Sequence, residues 1–316
     1  ENKTLYLIDG SALIYRAYFA FIRNRLINSR GEDVSATFGF VNTILKLVRT
    51  HQPDYLAIVF DTGRPTFRHE LYPEYKATRQ KMPDEMRDQI PRIRESVKAL
   101  GLPLIEEEGY EADDVIGTIG KSAAGAGFEV FMVTGDKDFM QLVGPRISVI
   151  DPMKDITYRP EDVLEKYGIP PERIVDYLAL TGDSSDNIPG VPRVGDKTAR
   201  ELLQQFGSLD AVLARCDEIL KPSVRACVDE NRDKALLSRE LATINTSVPV
   251  PAGFETFRFK GFRAESAVDF FREMEFTSLI DAVKEQSGVE TTEAEVVTVT
   301  PETLENSLDK LAGGKE

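Results

Sequence analysis

The sequence is short of the residues that build zinc sites and disulfide frameworks. Its 316 residues include two cysteines, Cys216 and Cys227, two histidines, His51 and His69, and no tryptophan. These side chains are too few and too scattered for a tetrahedral zinc site or a set of disulfides. We therefore expect a protein of a reducing compartment whose chemistry depends on other ligands.

Long apolar runs are missing as well. No stretch approaches the roughly 20 residues that cross a bilayer. The chain opens with Glu1-Asn2-Lys3 directly before the apolar residues 5–8, which leaves no room there for a signal peptide. We expect a cytoplasmic protein without a membrane partner.

Positive charge is also in deficit, because 39 Lys and Arg stand against 53 Asp and Glu and give a formal net charge of -14 at pH 7. A uniformly basic nucleic-acid-binding surface is thereby excluded, whereas a local basic face beside an acidic pocket is not. Segment 62–100 is such an exception, since nine Lys and Arg accompany six Asp and Glu there.

Apolar and aromatic residues make up 41% of the chain, enough for one large core or two modest ones. In the first half, short β-rich runs alternate with helical patterns, and the runs predict strands at 5–8, 55–60, 102–105, 129–133 and 147–150. This alternation predicts an α/β core over 1–159 with a mostly parallel central sheet flanked by helices. Helical patterns dominate 160–285, and 286–316 reads as an acidic linker followed by the truncated start of a further domain.

Acidic side chains follow three of the predicted strands. Asp9 follows strand 5–8, Asp61 follows strand 55–60, and Asp136 with Asp138 follow strand 129–133. In open α/β sheets, ligands bind beyond the carboxyl ends of the strands. We therefore expect these acids to meet at one edge of the sheet.

Two further acidic groups add to them. Glu111, Asp113 and Asp114 precede an apolar helix pattern, and Asp183 with Asp186 follow a predicted helix at 171–181. Each acid alone has an ordinary explanation as a turn former or a helix cap. Together they would raise each other's pKa and oppose folding unless a cation neutralised them. The pattern therefore favours bound metal.

The ligand type indicates which metal. Carboxylates without nearby His or Cys favour hard ions, Mg²⁺ or Mn²⁺. The acids exceed what one octahedral ion needs, so we expect two ions, an arrangement suited to phosphodiester hydrolysis. No Ser-His or Cys-His arrangement offers a competing nucleophile.

A second element carries glycines and bases. Gly190 and Gly195 flank Arg193, and Lys197 and Arg200 follow. The spacing predicts a hairpin between two short helices, at about 185–206, whose backbone N–H groups approach a phosphate without reading bases. An ordinary turn between helices is the alternative, and the three bases favour DNA.

Five motifs in order resemble those of the flap endonuclease family, in particular the 5′-nuclease domain at the N-terminus of bacterial DNA polymerase I. The resemblance spans residues 4 to about 285, and its motifs are YLIDGS at 6–11, VFD at 59–61, EADD at 111–114, TGDKD at 134–138 and GDSSDNIPG at 182–190. It implies a nuclease core with a helical arch at about 62–100 and a C-terminal helix-hairpin-helix subdomain.

The resemblance also implies an activity: structure-specific 5′ to 3′ cleavage of branched duplex DNA at a 5′ flap or nick, by a two-metal mechanism, in Okazaki-fragment processing and repair at the bacterial nucleoid. It implies a monomer that is normally fused to proofreading and polymerase domains. By the family pattern, one ion would be held by Asp9, Asp61, Glu111 and Asp113, and the other by Asp136, Asp138, Asp183 and Asp186. Asp114 matches a further motif acid that would lie behind the ligands.

The same resemblance gives roles to bases and to the hairpin. Arg68, Lys76 and Arg79 would approach the scissile phosphate, and a solvated helix face is the alternative, which is weaker for Lys76 and Arg79 than for Arg68. Tyr15 would stack on the base beside the cut. Further DNA contacts would come from Arg16, Lys137, Gly190, Arg193, Gly195 and Lys197, and the backbone carbonyls of Val191 and Val194 would bind K⁺. Many relatives have Gly where this chain has Arg193, which argues against a glycine-like backbone angle there and for an added phosphate contact.

Two alternatives remain beside the nuclease. An acidic-site ribonuclease of the same superfamily is disfavoured by the Gly190–Gly195 hairpin and by the arch-like segment. A non-catalytic module that binds branched duplex DNA, with acids kept for a structural cation, is disfavoured by the completeness of the acid set. Cleavage of a labelled flap with and without EDTA separates these hypotheses.

Overall fold

The computed structural model describes residues 3–250 and 253–287. The predicted start of a further domain therefore lies outside the described residues, apart from 286 and 287. Among the residues described, no helix is long and apolar enough to cross a membrane.

A six-stranded sheet forms the centre of the molecule. Its strands are β1 (Thr4–Asp9), β2 (Tyr55–Val59), β3 (Leu104–Ile105), β4 (Glu129–Val133), β5 (Ile147–Asp151) and β6 (Ile156–Tyr158). They lie in the order β3-β2-β1-β4-β5-β6. All neighbours are parallel except β5 and β6, which are antiparallel. The mostly parallel sheet is confirmed, and the short edge strand β6 is an addition that the pattern did not predict.

The strand order places one crossover at the centre. β1 pairs with β2 on one side and with β4 on the other, and the chain passes from the β3 edge to β4 through the helix Ala112–Gly125. In such sheets the crevice at the point where the strand order reverses is the place where ligands bind. The carboxyl ends of β1 and β4 form that crevice here.

Helices cover both faces of the sheet. Those of the first half are α1 (Gly10–Phe21), α2 (Ser35–His51), α3 (Phe67–Leu71), α4 (Asp84–Arg87), α5 (Ile90–Ala99) and α6 (Ala112–Gly125). Those that follow β6 are α7 (Pro160–Tyr167), α8 (Ile174–Thr181), α9 (Asp196–Phe206), α10 (Leu209–Ala214), α11 (Pro222–Glu230), α12 (Arg232–Ala242), α13 (Ala264–Glu273) and α14 (Thr277–Glu285). Short 3₁₀ helices lie at Lys137–Leu142, Pro171–Arg173, Cys216–Glu218 and Phe254–Phe257.

Alternation along the strands divides the core in two. Leu5 and Leu7 of β1 face one cluster, which contains α6 and runs on into the helices α7 to α12. Tyr6 and Ile8 face the other, which contains α1, α2 and α5. The last helices, α13 and α14, pack in this second cluster against α2 and α5. The end of the helical region therefore packs against helices of the α/β core.

The segment predicted as an arch falls into two parts. Met86, Ile93 and Val97 are fully buried in the second cluster, so α4 and α5 belong to the body of the molecule. The residues before them, from Asp61 to Arg79, run past the carboxyl edge of the sheet and make the contacts described below.

Candidate active site

Asp9 stands where β1 becomes α1, at the crevice between β1 and β4. Its Oδ1 accepts a hydrogen bond of 2.8 Å from the Ala12 N–H and thereby caps α1. Its Oδ2 accepts one of 2.9 Å from the Thr134 hydroxyl, which also accepts the Asp136 N–H at 3.1 Å. One threonine thus joins the acids that end β1 and β4. Thr134 adjoins the TGDKD acids but carries no charge, and the sequence reasoning missed it.

Asp61 connects the end of β2 to the start of α6. Its Oδ1 accepts the Ala112 N–H at 2.8 Å, and its own N–H donates to Ser11 Oγ at 3.0 Å. Ala112 lies between Glu111 and Asp113, so these acids are carried to the same edge. A Cβ on Gly10 would stand 2.5 Å from the Phe60 ring, which explains the glycine after Asp9.

Four acids, Asp9, Asp61, Asp113 and Asp136, form what we call the edge group. Burial and, after it, the charges of Asp61 and Asp136 raise the pKa of Asp9 to about 7. Burial and the charges of Asp136 and Asp9 hold the pKa of Asp113 well above its ordinary value. Burial also raises the pKa of Asp136, although the Asp138 N–H bond opposes the shift. These pKa values are raised because like charges lie close together and away from water.

Asp183 and Asp186 are presented by a tight loop after α8. Asp183 and Ile188 exchange backbone hydrogen bonds of 3.0 and 2.8 Å. Gly182 and Gly190, with φ of 68° and 61°, lie back to back at its base. A Cβ on Gly190 would stand 2.4 Å from the Gly182 nitrogen, so no other residue fits this crossing.

Three acids, Glu111, Asp183 and Asp186, form the paired group, because each holds a base. Lys137 Nζ lies 3.0 Å from Asp183 Oδ2, and Arg79 Nε lies 3.1 Å from Asp186 Oδ1. Burial alone would raise the pKa of Asp183, but hydrogen bonds from Ser185 and Lys137 outweigh it and lower that pKa. The two groups therefore meet opposite electrostatic conditions.

Lys76 bridges two members of the paired group. Its Nζ lies 2.6 Å from Glu111 Oε1 and 3.6 Å from Asp186 Oδ2. Burial opposes its charge, but Glu111 and Asp186 raise the pKa of the ammonium. Its backbone has the left-handed φ of 58°, and its N–H donates to the Asp186 carbonyl at 2.9 Å.

Tyr75 is a site residue that the sequence reasoning missed. Its hydroxyl lies 3.1 Å from both Glu111 Oε2 and Asp186 Oδ2, and burial with these two charges raises the pKa of the phenol. Its position directly before Lys76 in the YKATR segment could have identified it from the sequence. Asn187 also joins the Asp186 loop to the segment of Tyr75, because its side-chain amide donates to the Glu74 carbonyl at 2.7 Å.

Arg68 does not reach the open edge, contrary to the prediction that it approaches the scissile phosphate. The residue is 2% exposed. Its Nε donates to the Leu241 carbonyl, its Nη1 to Asp114 and Glu111, and its Nη2 to Asp114 and Thr243. These contacts occupy the five N–H donors that an arginine has, so none remains for a substrate.

Asp114 is equally occupied, so it lies behind the other acids and its carboxylate is not free to serve as a metal ligand itself. Its Oδ1 accepts from Arg68 and from the Asn245 N–H, both at 2.8 Å. Its Oδ2 accepts from Arg68 at 2.8 Å and from the Glu111 N–H at 3.2 Å. With its lone pairs engaged and no exposed surface, this carboxylate has no place for an ion.

The hairpin between α8 and α9 corrects two further expectations. The buried N–H of Gly190 donates to Ser238 Oγ at 2.9 Å, so it cannot bind a phosphate. Arg193 has φ of 65°, so the glycine-like angle is present despite the side chain. Gly195 caps α9, is exposed and has open space where a Cβ would be. Lys197 follows in the first turn, with its side chain 90% exposed.

The remaining predicted contacts lie at varied positions. Tyr15 is 40% exposed on α1. Arg16 lies beside Gly135, and its Nη1 is 2.6 Å from Asp151 Oδ1. Val191 and Val194 are buried in the hairpin, where the Val194 N–H donates to the Val191 carbonyl at 3.1 Å.

The donor set suits a hard divalent ion, since its members present oxygen only. Asp138 adds a signal of its own: its buried Oδ1 finds no hydrogen-bond partner within 3–250 and 253–287, and burial with Asp136 and Asp183 holds its pKa well above the ordinary value. As the side chains stand, however, no three acidic, His or Cys residues of the described ranges are posed to hold one ion. Glu111, Asp183 and Asp186 instead hold Lys76, Lys137 and Arg79.

Two family descriptions match the chain in succession. Residues 4–168 match the 5′-3′ exonuclease N-terminal resolvase-like domain. Residues 169–265 match the 5′-3′ exonuclease C-terminal SAM fold. Together they cover both the sheet and the hairpin.

Individual relatives agree with these matches. DNA polymerase I of Bacillus subtilis is 43% identical over 292 residues, which are 91% of this chain and 33% of that protein. DNA polymerase I of Bacillus caldotenax is 42% identical over 293 residues, 92% of this chain and 33% of that protein. The chain thus spans about a third of the length of these relatives.

A solved structure supports the fold. A flap endonuclease of bacteriophage T5, in a pseudo-enzyme-product complex with DNA and metal ions, superposes with a TM-score of 0.65 at 20% identity. The match covers 90% of this chain and 97% of that one.

Proposed function

The chain belongs to the 5′-3′ exonuclease family, and we propose that it is a structure-specific 5′ to 3′ DNA nuclease that hydrolyses phosphodiesters with divalent metal ions. Its substrate would be branched duplex DNA with a 5′ flap or a nick. As part of a longer chain with proofreading and polymerase domains, it would act as a monomer at the bacterial nucleoid in Okazaki-fragment processing and repair. Its domains would be a core over 1–159, with an arch formed by the part of 62–100 that precedes α4, and a helical region over 160–285.

The observation that carries the proposal is the convergence of acids from β1, β2, β4 and α6 at the switch point of the sheet. Asp9, Asp113 and Asp138 all have raised pKa values there because they are buried beside other acids. A purely structural edge would pair these carboxylates with bases, as Asp183 is paired with Lys137. Unpaired acids at a ligand crevice favour a site for cations.

Two Mg²⁺ or Mn²⁺ ions would be held by eight acids drawn from the edge group, the paired group and Asp138. Asp9, Asp61, Glu111 and Asp113 would hold one, and Asp136, Asp138, Asp183 and Asp186 the other. Bound ions would supply the positive charge that activates water and stabilises the attacked phosphate. Asp9 and Asp136 would be kept in place by the Thr134 hydroxyl.

Lys76 and Arg79 would bind the scissile phosphate. Both already lie at the acid edge, with donors 2.6 Å from Glu111 and 3.1 Å from Asp186. When a phosphodiester enters, its oxygens compete with these carboxylates for the same N–H groups. The bases then stabilise the negative charge that develops on the phosphate, and the released carboxylates are free to bind ions.

The hairpin would hold the duplex away from the cut. Gly195 and the N-terminus of α9 offer N–H groups to a phosphate, flanked by the exposed Arg193 and Lys197. K⁺ bound by the carbonyls of Val191 and Val194 would add to this contact. Closer to the acids, Tyr15 would stack on the base beside the cut, and Arg16 and Lys137 would contact the backbone.

The test is cleavage of labelled 5′-flap, nicked and single-stranded DNA, each with Mg²⁺ and with EDTA. We expect Mg²⁺-dependent products with the flap as the preferred substrate. Tight flap binding with no cleavage under any metal would instead support a non-catalytic DNA-binding module. Preferential cleavage of RNA would support the ribonuclease alternative.

A further inference from the structure

Arg68 and Asp114 form a buried pair behind the acid edge, which we call the clamp. The two residues are 2% and 0% exposed. Their side chains meet through two parallel N–H···O bonds of 2.8 Å. This two-point contact fixes both distance and orientation, which a single ion pair does not.

The clamp joins three elements that are far apart in sequence. Arg68 lies on α3, Asp114 lies in the first turn of α6, and the Leu241 and Thr243 carbonyls that accept from Arg68 belong to the C-terminal end of α12 and the segment that follows it. The Asn245 N–H of this segment donates to Asp114 as well. The helical half of the chain is thus attached to α6 at this pair.

The clamp also reaches the site acids without facing the substrate. Asp114 Oδ2 accepts the Glu111 N–H at 3.2 Å and so caps α6. Arg68 Nη1 lies 3.4 Å from Glu111 Oε2, the oxygen that also meets Tyr75. Glu111 and Asp113 flank Ala112 at the helix start, so an error in the placement of this turn moves both carboxylates.

We propose that Arg68 is a positioning residue, which holds the start of α6, and with it Glu111 and Asp113, against the ends of β1 and β2. It does so through Asp114 and contacts no phosphate. This inference rests on the proposed function for the role of the two acids. Lysine cannot replace it, because an ammonium lacks the planar fork and leaves carbonyls at this site without donors.

The experiment compares wild type with R68K, which keeps the charge and loses the fork. Partners that orient metal ligands typically change metal affinity or activity by about 10- to 100-fold when they are altered. We expect kcat on the flap to fall by that factor, while the flap dissociation constant in EDTA changes less than about twofold. Without DNA, we measure the Mg²⁺ concentration that gives half of the maximal rise in melting temperature, which we call the Mg²⁺ half-point. It should increase by about tenfold.

R232K is the control for the arginine-to-lysine change, at an arginine whose side chain is 43% exposed. Arg232 also pairs with an acid, Asp229, and donates to a carbonyl, that of Leu213, but it contacts none of the acids at the edge. We expect its kcat and Mg²⁺ half-point to equal those of wild type. A change in R232K as large as that in R68K would assign the effect to general destabilisation and overturn the proposal.

D114N supplies a second route, because it leaves the arginine in place and removes an acceptor of the fork. We expect the same rise in the Mg²⁺ half-point, and no further rise when R68K is added, since the pair acts as a unit.

If R68K shows no cooperative unfolding, the result for D114N decides whether the proposal holds. An unchanged Mg²⁺ half-point in the folded variants would overturn the proposal, whatever happens to kcat. If wild type cleaves no DNA, the proposed function fails, but the Mg²⁺ half-points still test the clamp.

Discussion

The edge group and the paired group occupy one edge of the sheet, yet the chain treats their charges in opposite ways. Asp183 has a base at 3.0 Å and a lowered pKa. Asp9 and Asp113 have no ion pair among the described residues, and burial beside other acids raises their pKa values. The same residue type is thus stabilised as an anion on the loop and destabilised as an anion at the strand ends.

The difference indicates which of the described acids are left without a base and so are available to bind a cation. Lys137 relieves the effect of burial on Asp183, whereas Lys76 lowers the pKa of Asp136 without offsetting its burial. Stability that is given up at a ligand crevice is a recurrent mark of functional sites. The predictions below test this contrast, from the largest expected effect to the smallest.

Asp113→Asn removes one charge from the centre of the edge group. We expect the cleavage rate to fall by about 100-fold or more, because the charge that binds and orients cations is lost, while flap affinity in EDTA persists. Single-turnover cleavage and equilibrium binding measure the two effects. Asp88→Asn, at an exposed acid, is the control, and a D113N enzyme with wild-type turnover would remove Asp113 from the site.

Asp9→Asn should change how stability depends on pH. A carboxyl whose pKa is raised by folding stabilises the fold when protonated; that contribution is complete below about pH 4, where an unfolded Asp titrates, and is lost as pH rises through about 7. In EDTA we therefore expect wild type to lose on the order of 3 kcal/mol relative to D9N between pH 4 and 8. Urea unfolding across this range measures it.

The same pair of proteins tests cation binding. Mg²⁺ should raise the melting temperature of wild type, because ions bind the folded acids preferentially, and should raise that of D9N less. A wild-type melting temperature that stays flat over a wide Mg²⁺ range would contradict cation binding by these acids. Equal pH profiles for the two proteins would contradict the raised pKa of Asp9.

Lys137→Met removes the base from Asp183. The lowered pKa of Asp183 adds stability above the pKa of an unfolded Asp, and this is lost as pH falls through the folded value. Because Lys137 is half exposed, we expect a loss of only about 0.5–1 kcal/mol at pH 7, and less at pH 3. Lys197→Met, whose partner Glu201 is exposed, should leave unfolding unchanged; equal losses in both variants would argue against a special role for Lys137.

Arg193→Gly extends the comparison to an exposed base of the hairpin. Removing a side chain at φ of 65° should raise the free energy of unfolding by about 0.5 kcal/mol. DNA affinity should fall equally for all sequences, with the salt slope reduced by about one unit. Arg193→Lys should keep the slope. A loss confined to particular sequences would contradict phosphate binding.

The sequence was sufficient for the five parallel strands of the sheet and for the acids that follow three of them. Parallel strands end at a common edge, so Asp9, Asp61 and Asp136 could be placed from their positions after apolar runs. The roles within EADD could not be separated in this way, because Asp113 and Asp114 are adjacent acids of one type. What distinguishes them is Arg68, 46 residues before Asp114, and the Asn245 N–H, 131 residues after it.

Other errors have the same origin in distant contacts. The Gly190 N–H was expected to meet a phosphate, but Ser238, 48 residues later, accepts it. The angle of Arg193 was misjudged because a tight hairpin imposes it against the preference of the side chain. Strand β6 is three residues long, too short for an alternation pattern to identify.

Gly182 and Gly190 set a fixed length in this molecule. Their backbones touch, so the loop that carries Asp183 and Asp186 and the hairpin that leads to Gly195 share a hub that contains no side chain. Main-chain atoms in contact have no rotamers to change, so no rearrangement of side chains alters the spacing at this hub. If the hairpin holds a duplex as proposed, Asp183 and Asp186 would lie at a set distance from that contact, and this distance would determine where along the duplex the strand is cut.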